Sequence, residues 1–111
     1  MDCIFCKIAQ GDIPVDLLYS DERVVAFNDL APQAPTHILV IPRAHFTHVG
    51  ALANANPTLV GELFAVAQKL ADERALSGHR TVFNSGESAG QSVFHAHLHL
   101  LGGRSFTWPA G

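Results

Sequence analysis

The sequence predicts an α+β fold built on an antiparallel sheet, and three observations carry that expectation. Short runs rich in β-branched and aromatic residues outnumber long helical patterns. The connections between them are mostly short enough for antiparallel neighbours. One segment alone sustains an apolar period of three and four.

Taken in order, the chain opens on a short apolar stretch, the candidate short helix, which Gly11, Asp12 and Pro14 break. Val24-Val25-Ala26-Phe27 reads as a strand after a turn at Asp21-Glu22. A Pro-punctuated loop from Asp29 to Pro35 leads into a second strand, His37-Ile38-Leu39-Val40-Ile41, stopped by Pro42. Asn56 and Pro57 suit the cap and first position of a helix. Leu59, Val60, Leu63, Phe64, Val66, Ala67, Leu70 and Ala71 then form its apolar stripe, and the helix is expected to reach about Leu76, before Ser77-Gly78. Thr81-Val82-Phe83-Asn84 is a further strand, Ser85 to Gln91 a loop, and Val93 to Leu101 the last strand.

Composition narrows the function classes. The 111 residues are expected to make one domain, 1–111, and at 48% hydrophobic they do not suit a disordered chain. Seven Lys+Arg against ten Asp+Glu give a net charge of −3, too few cations for long nucleic acid as a partner. No apolar run reaches membrane-spanning length and no secretory leader is legible, so the expected setting is cytoplasmic, without a membrane partner.

Three of the seven histidines alternate in His95-Ala96-His97-Leu98-His99. On a strand they would share one face while Ala96, Leu98 and Leu100 anchor the other. Closely spaced imidazoles suit either a metal ion or nucleophilic attack on an electrophile. On a regular strand the outer two would be roughly 13 Å apart at the backbone, too far to share one ion. Gly90-Gln91-Ser92 just upstream offers backbone N–H groups and a hydroxyl suited to phosphate oxygens, which favours phosphoryl chemistry.

The segments Asp29 to His37 and Gly90-Gln91-Ser92-Val93-Phe94-His95-Ala96-His97-Leu98-His99-Leu100-Leu101-Gly102-Gly103-Arg104, with the ending Trp108-Pro109, resemble the histidine triad family in its Hint branch. The resemblance runs from about Ile4 to Gly111. It implies the HIT-like fold: a roughly five-stranded antiparallel sheet with one long and one short helix, paired into a two-fold homodimer. It also implies hydrolysis of purine nucleoside 5′-phosphoramidates, such as adenosine 5′-monophosphoramidate, through a nucleotidyl-histidine intermediate. No cofactor is required for that catalysis.

Carried over position by position, the resemblance makes His97 the nucleophile, with His99 and His37 holding its tautomer and stabilising phosphoryl charge. Ser92 would relay a proton to the departing amine. Asn84 would contact phosphate or leaving group, and Asp29 would accept the ribose hydroxyls. Phe5, Phe27 and Leu30 would wall the purine, and Gly90, Gln91 and Val93 belong to the phosphate loop. Asn28 stands where a His is common beside that Asp, and Ala89 where a second Gly is common. Trp108, an exposed aromatic otherwise costly to leave unpacked, would approach the partner subunit's site.

Cys3-x-x-Cys6 suits metal or redox chemistry more than a disulfide framework, and plain packing of two small side chains is the other reading. The resemblance points to a structural zinc completed by His45 and His95, which would leave His97 and His99 to catalysis. Two rivals stand beside the phosphoramidase: hydrolysis of a dinucleoside polyphosphate, and a non-catalytic nucleotide-binding interaction protein.

Overall fold

The computed structural model describes residues 2–111 and runs α1 (Ile4–Gln10), β1 (Leu17–Ser20), β2 (Val24–Asn28), β3 (Thr36–Pro42), α2 (Val49–Ala55), α3 (Pro57–Glu73), β4 (His79–Val82) and β5 (Leu98–Gly102), with a 3₁₀ turn at Glu87–Ala89. The five strands form one sheet in the order β1-β2-β3-β5-β4, every neighbouring pair antiparallel.

β2 and β3 read as continuous apolar runs because both faces of the sheet are covered there. The register pairs Val25 with Ile41 and Phe27 with Leu39 on one face, where Phe5, Ile8 and Ala9 of α1 pack. Ala26 and Val40 lie on the other, joined by Ile38, Leu98 and Leu100 and closed by Leu59, Leu63, Val66, Ala67 and Leu70 of α3 with Leu52 of α2. Burial on this second face is the larger reservoir of apolar stabilisation, at about 25 cal/mol per Å² removed from water. The α1 face is thinner, and His37 and His99 emerge beside it.

Helix α3 begins as its sequence predicts: the Asn56 side chain accepts the Leu59 N–H at 3.2 Å, and Pro57 occupies the first turn. It ends at Glu73, short of the expected Leu76. The reason is a Schellman-type stop in which Leu76 N–H donates to Ala71 C=O and Ala75 N–H to Asp72 C=O, with Ala75 at φ 52° where glycine is usual. A short helix, α2, joins the expected pair, capped by the His48 ring, which accepts the Ala51 N–H.

The last strand corrects the sequence expectation most. Only Leu98–Gly102 ladder with β3 and β4; residues 93 to 97 do not. That segment is tied by other bonds: Ala96 N–H to Phe46 C=O and the His95 ring to Pro42 C=O, each 2.7 Å. The three histidines therefore do not share one strand face. β4 likewise starts earlier, at His79, and ends before Phe83. No helix among the described residues is long and apolar enough to cross a membrane.

Candidate active site

Antiparallel register brings His37 and His99 together. His37 lies opposite Leu101 and His99 opposite Leu39, so the two imidazoles are diagonal neighbours on one face, centroids 5.1 Å apart. Their protons can be placed by elimination. Gln33 N–H donates to His37 Nδ1 at 3.0 Å, so that nitrogen carries the lone pair and Nε2 the proton. Asp29 Oδ2, an acceptor 3.3 Å from His37 Nε2, agrees. His37 Nε2–H then donates to His99 Nδ1 at 2.8 Å, which leaves the proton of neutral His99 on Nε2. That Nε2 is buried with no hydrogen-bond partner. A preset donor without an acceptor costs stability, and it marks where an incoming oxygen would be bound.

His97 stands next to it, ring centroids 4.9 Å apart. Its Nδ1 lies 2.7 Å from the His95 carbonyl, an acceptor only, so Nδ1 carries the proton and Nε2 the lone pair. Burial lowers the His97 pKa below the ordinary imidazole value, outweighing the opposing bond to the His95 carbonyl and the charge of Asp29. His99 is pushed to about 4, first by burial and then by the neighbouring His97 and His37. At neutral pH the pair is therefore uncharged, one ring offering a lone pair and the other an N–H.

Both rings line a cavity of about 240 Å³ whose other walls include Phe5, Phe27, Leu30 and Leu39. Asn28, Asp29, Ser92 and Val93 supply its rim. Asp29 sits just past β2, its Oδ1 accepting the Ala31 N–H at 2.8 Å. Leu30, 99% exposed, hangs at the mouth rather than walling a closed pocket. The sequence reading missed Ile4, Ile8, Val15 and Leu39. Ile4 and Ile8 were recoverable, being one turn apart on the helix that carries Phe5.

Five expected residues lie outside this lining: His37, which stands behind His99, and Asn84, Gly90, Gln91 and Trp108. Gln91 is buried, and its side chain is spent inside the chain: Nε2–H donates to Thr47 and Val93 carbonyls, and Oε1 accepts the Gly86 N–H. It shapes the loop, with both amide protons and one Oε1 lone pair already taken. Gly90 turns that loop at φ 92°. Trp108 is 85% exposed.

His95 turns away into a separate cluster with Cys3, Cys6 and His45. Its Nε2–H donates to Pro42 C=O, so Nδ1 faces the thiols with its lone pair, 3.4 Å from Cys3 Sγ and 3.5 Å from Cys6 Sγ. His45 Nδ1 is 3.4 Å from Cys6 Sγ. A tetrahedral zinc with ordinary bond lengths sets S and N ligands roughly 3.5 Å apart, and its histidines commonly donate their other N–H to a carbonyl. The residues present fit that ion in number, type and spacing. Burial raises the Cys6 pKa, with Cys3 adding to it, so two adjacent thiolates need a cation. Asp29, His37 and His99 also gather three potential ligand atoms within 4.8 Å of one another. There the hydrogen bonds oppose a metal: His37 Nε2 carries its proton because Gln33 N–H occupies Nδ1.

Comparison with known proteins agrees with this geometry. Residues 2–107 match the family described as scavenger mRNA decapping enzyme C-term binding. An uncharacterized HIT-like protein of Synechococcus elongatus is 45% identical over 111 residues, 99% of this chain and 97% of that protein. The crystal structure of a HIT family hydrolase from Legionella pneumophila superposes with a TM-score of 0.94 at 46% identity, covering 99% of this chain and all of that one (100%). A histidine triad protein from Clostridium difficile gives 0.91 at 43% identity, over 96% and 95% of the two chains. Likeness of this extent, in sequence and in three dimensions, means that the chain belongs to the histidine triad family.

Proposed function

We propose that this protein hydrolyses the P–N bond of purine nucleoside 5′-phosphoramidates, adenosine 5′-monophosphoramidate being the model substrate. The observation that carries the reading is the tautomer-locked His97, its Nε2 lone pair beside the unpartnered Nε2–H of His99. In this scheme the base lies between the Phe5 and Phe27 side of the cavity and Leu39, with Asp29 taking the ribose hydroxyls. His97 Nε2 attacks the α-phosphorus and the P–N bond breaks. The amine leaves with a proton relayed by the Ser92 hydroxyl, and His99 Nε2–H holds a phosphoryl oxygen. Water then cleaves the nucleotidyl-His97 bond, so one phosphoramidate and one water yield AMP and the free amine.

A zinc ion bound by Cys3, Cys6, His45 and His95 would have a structural role, tying the N-terminal helix to the sheet without joining the reaction. The same reading makes the working form a two-fold homodimer in which Trp108 reaches the partner's site. The unpaired edge of β4 and the exposure of Trp108 support it. Sedimentation velocity is expected to give twice the monomer mass.

The test is mass spectrometry of protein mixed with adenosine 5′-phosphoramidate and quenched without acid. The expected result is an adenylyl increment on His97, missing in His97→Ala. A protein that binds the nucleotide yet forms neither AMP nor adduct would refute the catalytic reading and favour a binding module.

A further inference from the structure

The cluster of Cys3, Cys6, His45 and His95 takes no part in that scheme, yet it is bolted to the pocket. Cys3 caps α1 and accepts the Cys6 N–H, so both thiols grip the helix's first turn. Between them sits Phe5, edge-on to Phe27 at 5.6 Å and to His97 at 5.1 Å. Ile4, Phe5 and Ile8 make one wall of the nucleotide cavity. Cys3 and His45 open instead onto a second cavity of about 440 Å³, and Ile4, Ser92 and Val93 stand between the two. The cluster is thus reached from the side away from the nucleophile.

The two partners joined by the cluster are held unequally. The catalytic segment keeps its own anchors, His95 Nε2–H to Pro42 C=O and Ala96 N–H to Phe46 C=O. Helix α1 has seven residues, well below the roughly 12–15 that an isolated helix needs. Outside the cluster it relies on Arg43 bonded to Ala9 C=O and on the apolar contacts of Phe5, Ile8 and Ala9. If the cluster opens, α1 loosens before the histidines move.

We propose that the cluster is a metal-dependent latch on the nucleotide pocket: zinc shared by both thiolates and both imidazoles locks α1 and completes the Ile4–Phe5 wall, and its removal weakens nucleotide binding without disabling His97. The proposal rests on the nucleotide reading above. It makes α1 a pocket wall whose order depends on metal supply.

The experiment compares zinc-loaded protein with the same protein after chelation and dialysis. AMP affinity is read by calorimetry and α1 by amide hydrogen exchange. After chelation, α1 amides are expected to exchange at least about ten-fold faster while β3 and β5 stay protected. The AMP Kd rises roughly ten-fold and kcat holds within about two-fold. In zinc-loaded Phe5→Ala, AMP affinity falls to a similar degree and chelation adds little more. A purely structural ion would lower the melting temperature and leave the Kd unchanged, which overturns the latch. So would unchanged α1 exchange on chelation, or full AMP affinity in Phe5→Ala. If no form binds AMP, the nucleotide reading is what falls, and helix exchange still decides whether the cluster holds α1.

Discussion

At His97 the decisive feature is a single hydrogen bond, Nδ1–H to the His95 carbonyl, which aims the lone pair at the cavity. Replacing His97 by Ala is expected to lower kcat by about 10³-fold or more while the fold and AMP binding survive. His37→Ala acts one step back, since it frees the His99 tautomer; kcat is expected to fall roughly 10–100-fold with KM little changed. A KM effect alone would argue that His37 only packs. The pH profile follows from burial. Protonating His97 removes the nucleophile, and its pKa lies below the ordinary value near 6.5, so the acid limb of kcat/KM is expected below about pH 6.5. A limb at or above that value would place His97 in contact with solvent. His97 and His99 stood out in the sequence because they sit in a dense motif, whereas His37 was singled out only through the family resemblance of the segment from Asp29 to His37. The divergence of His95 was not, because period-two alternation assumes a ladder that residues 93 to 97 do not make.

Among the elements, β3 is the one that organises the rest, pairing with β2 on one side and β5 on the other. It and α3 were read from sequence because a long apolar run and a clean cap leave strong signals. β1 and α2 were not. Leu17–Ser20 is only four residues, and Val49–Ala55 contains a glycine and an asparagine with one buried side chain, Leu52. The end of α3 was misplaced for a different reason, since Ala75 fills a left-handed position without the glycine that usually announces it. Ala75→Gly is therefore expected to stabilise the protein by about 0.5–1 kcal/mol in urea unfolding, relief of strain outweighing the greater freedom of the unfolded chain. A destabilised variant would show that the Ala75 methyl packs. The opposite substitution at the end of β5 tests the same physics. Gly103 has φ 89°, and a Cβ there would come within 2.9 Å of Pro35 Cβ, so Gly103→Ala is expected to cost about 1–3 kcal/mol.

For the molecule as a whole, burying neutral imidazoles ties stability to pH. The unfolded chain binds a proton on each such ring near pH 6.5, whereas His99 resists until about 4 and His97 is lowered too. Between those limits the unfolded state holds more protons, so stability is full above about 6.5 and declines as pH falls towards 4. Thermal melts at pH 7 and pH 5 should show it, and equal midpoints would contradict the burial of these rings. The overall architecture followed from sequence because covered faces and short connections leave few topologies. The cavity's walls came only through the family resemblance, since they belong to α1, β2, β3 and the loop before β5, which no local pattern joins. Distance along the chain has one more effect. Cys3 and His95 meet across 92 positions, so the cluster spans nearly the full sequence. On the ribosome its cysteines must wait as uncommitted thiols until about the last seventh of the chain is made, and a metal captured there clips a long loop whose closure entropy grows only as the logarithm of its length. Under the zinc reading, metal uptake is thus a late event in this protein's synthesis, and a nascent chain halted before His95 would hold three of the four ligands, Cys3, Cys6 and His45, without the one that ties them to the segment before the last strand.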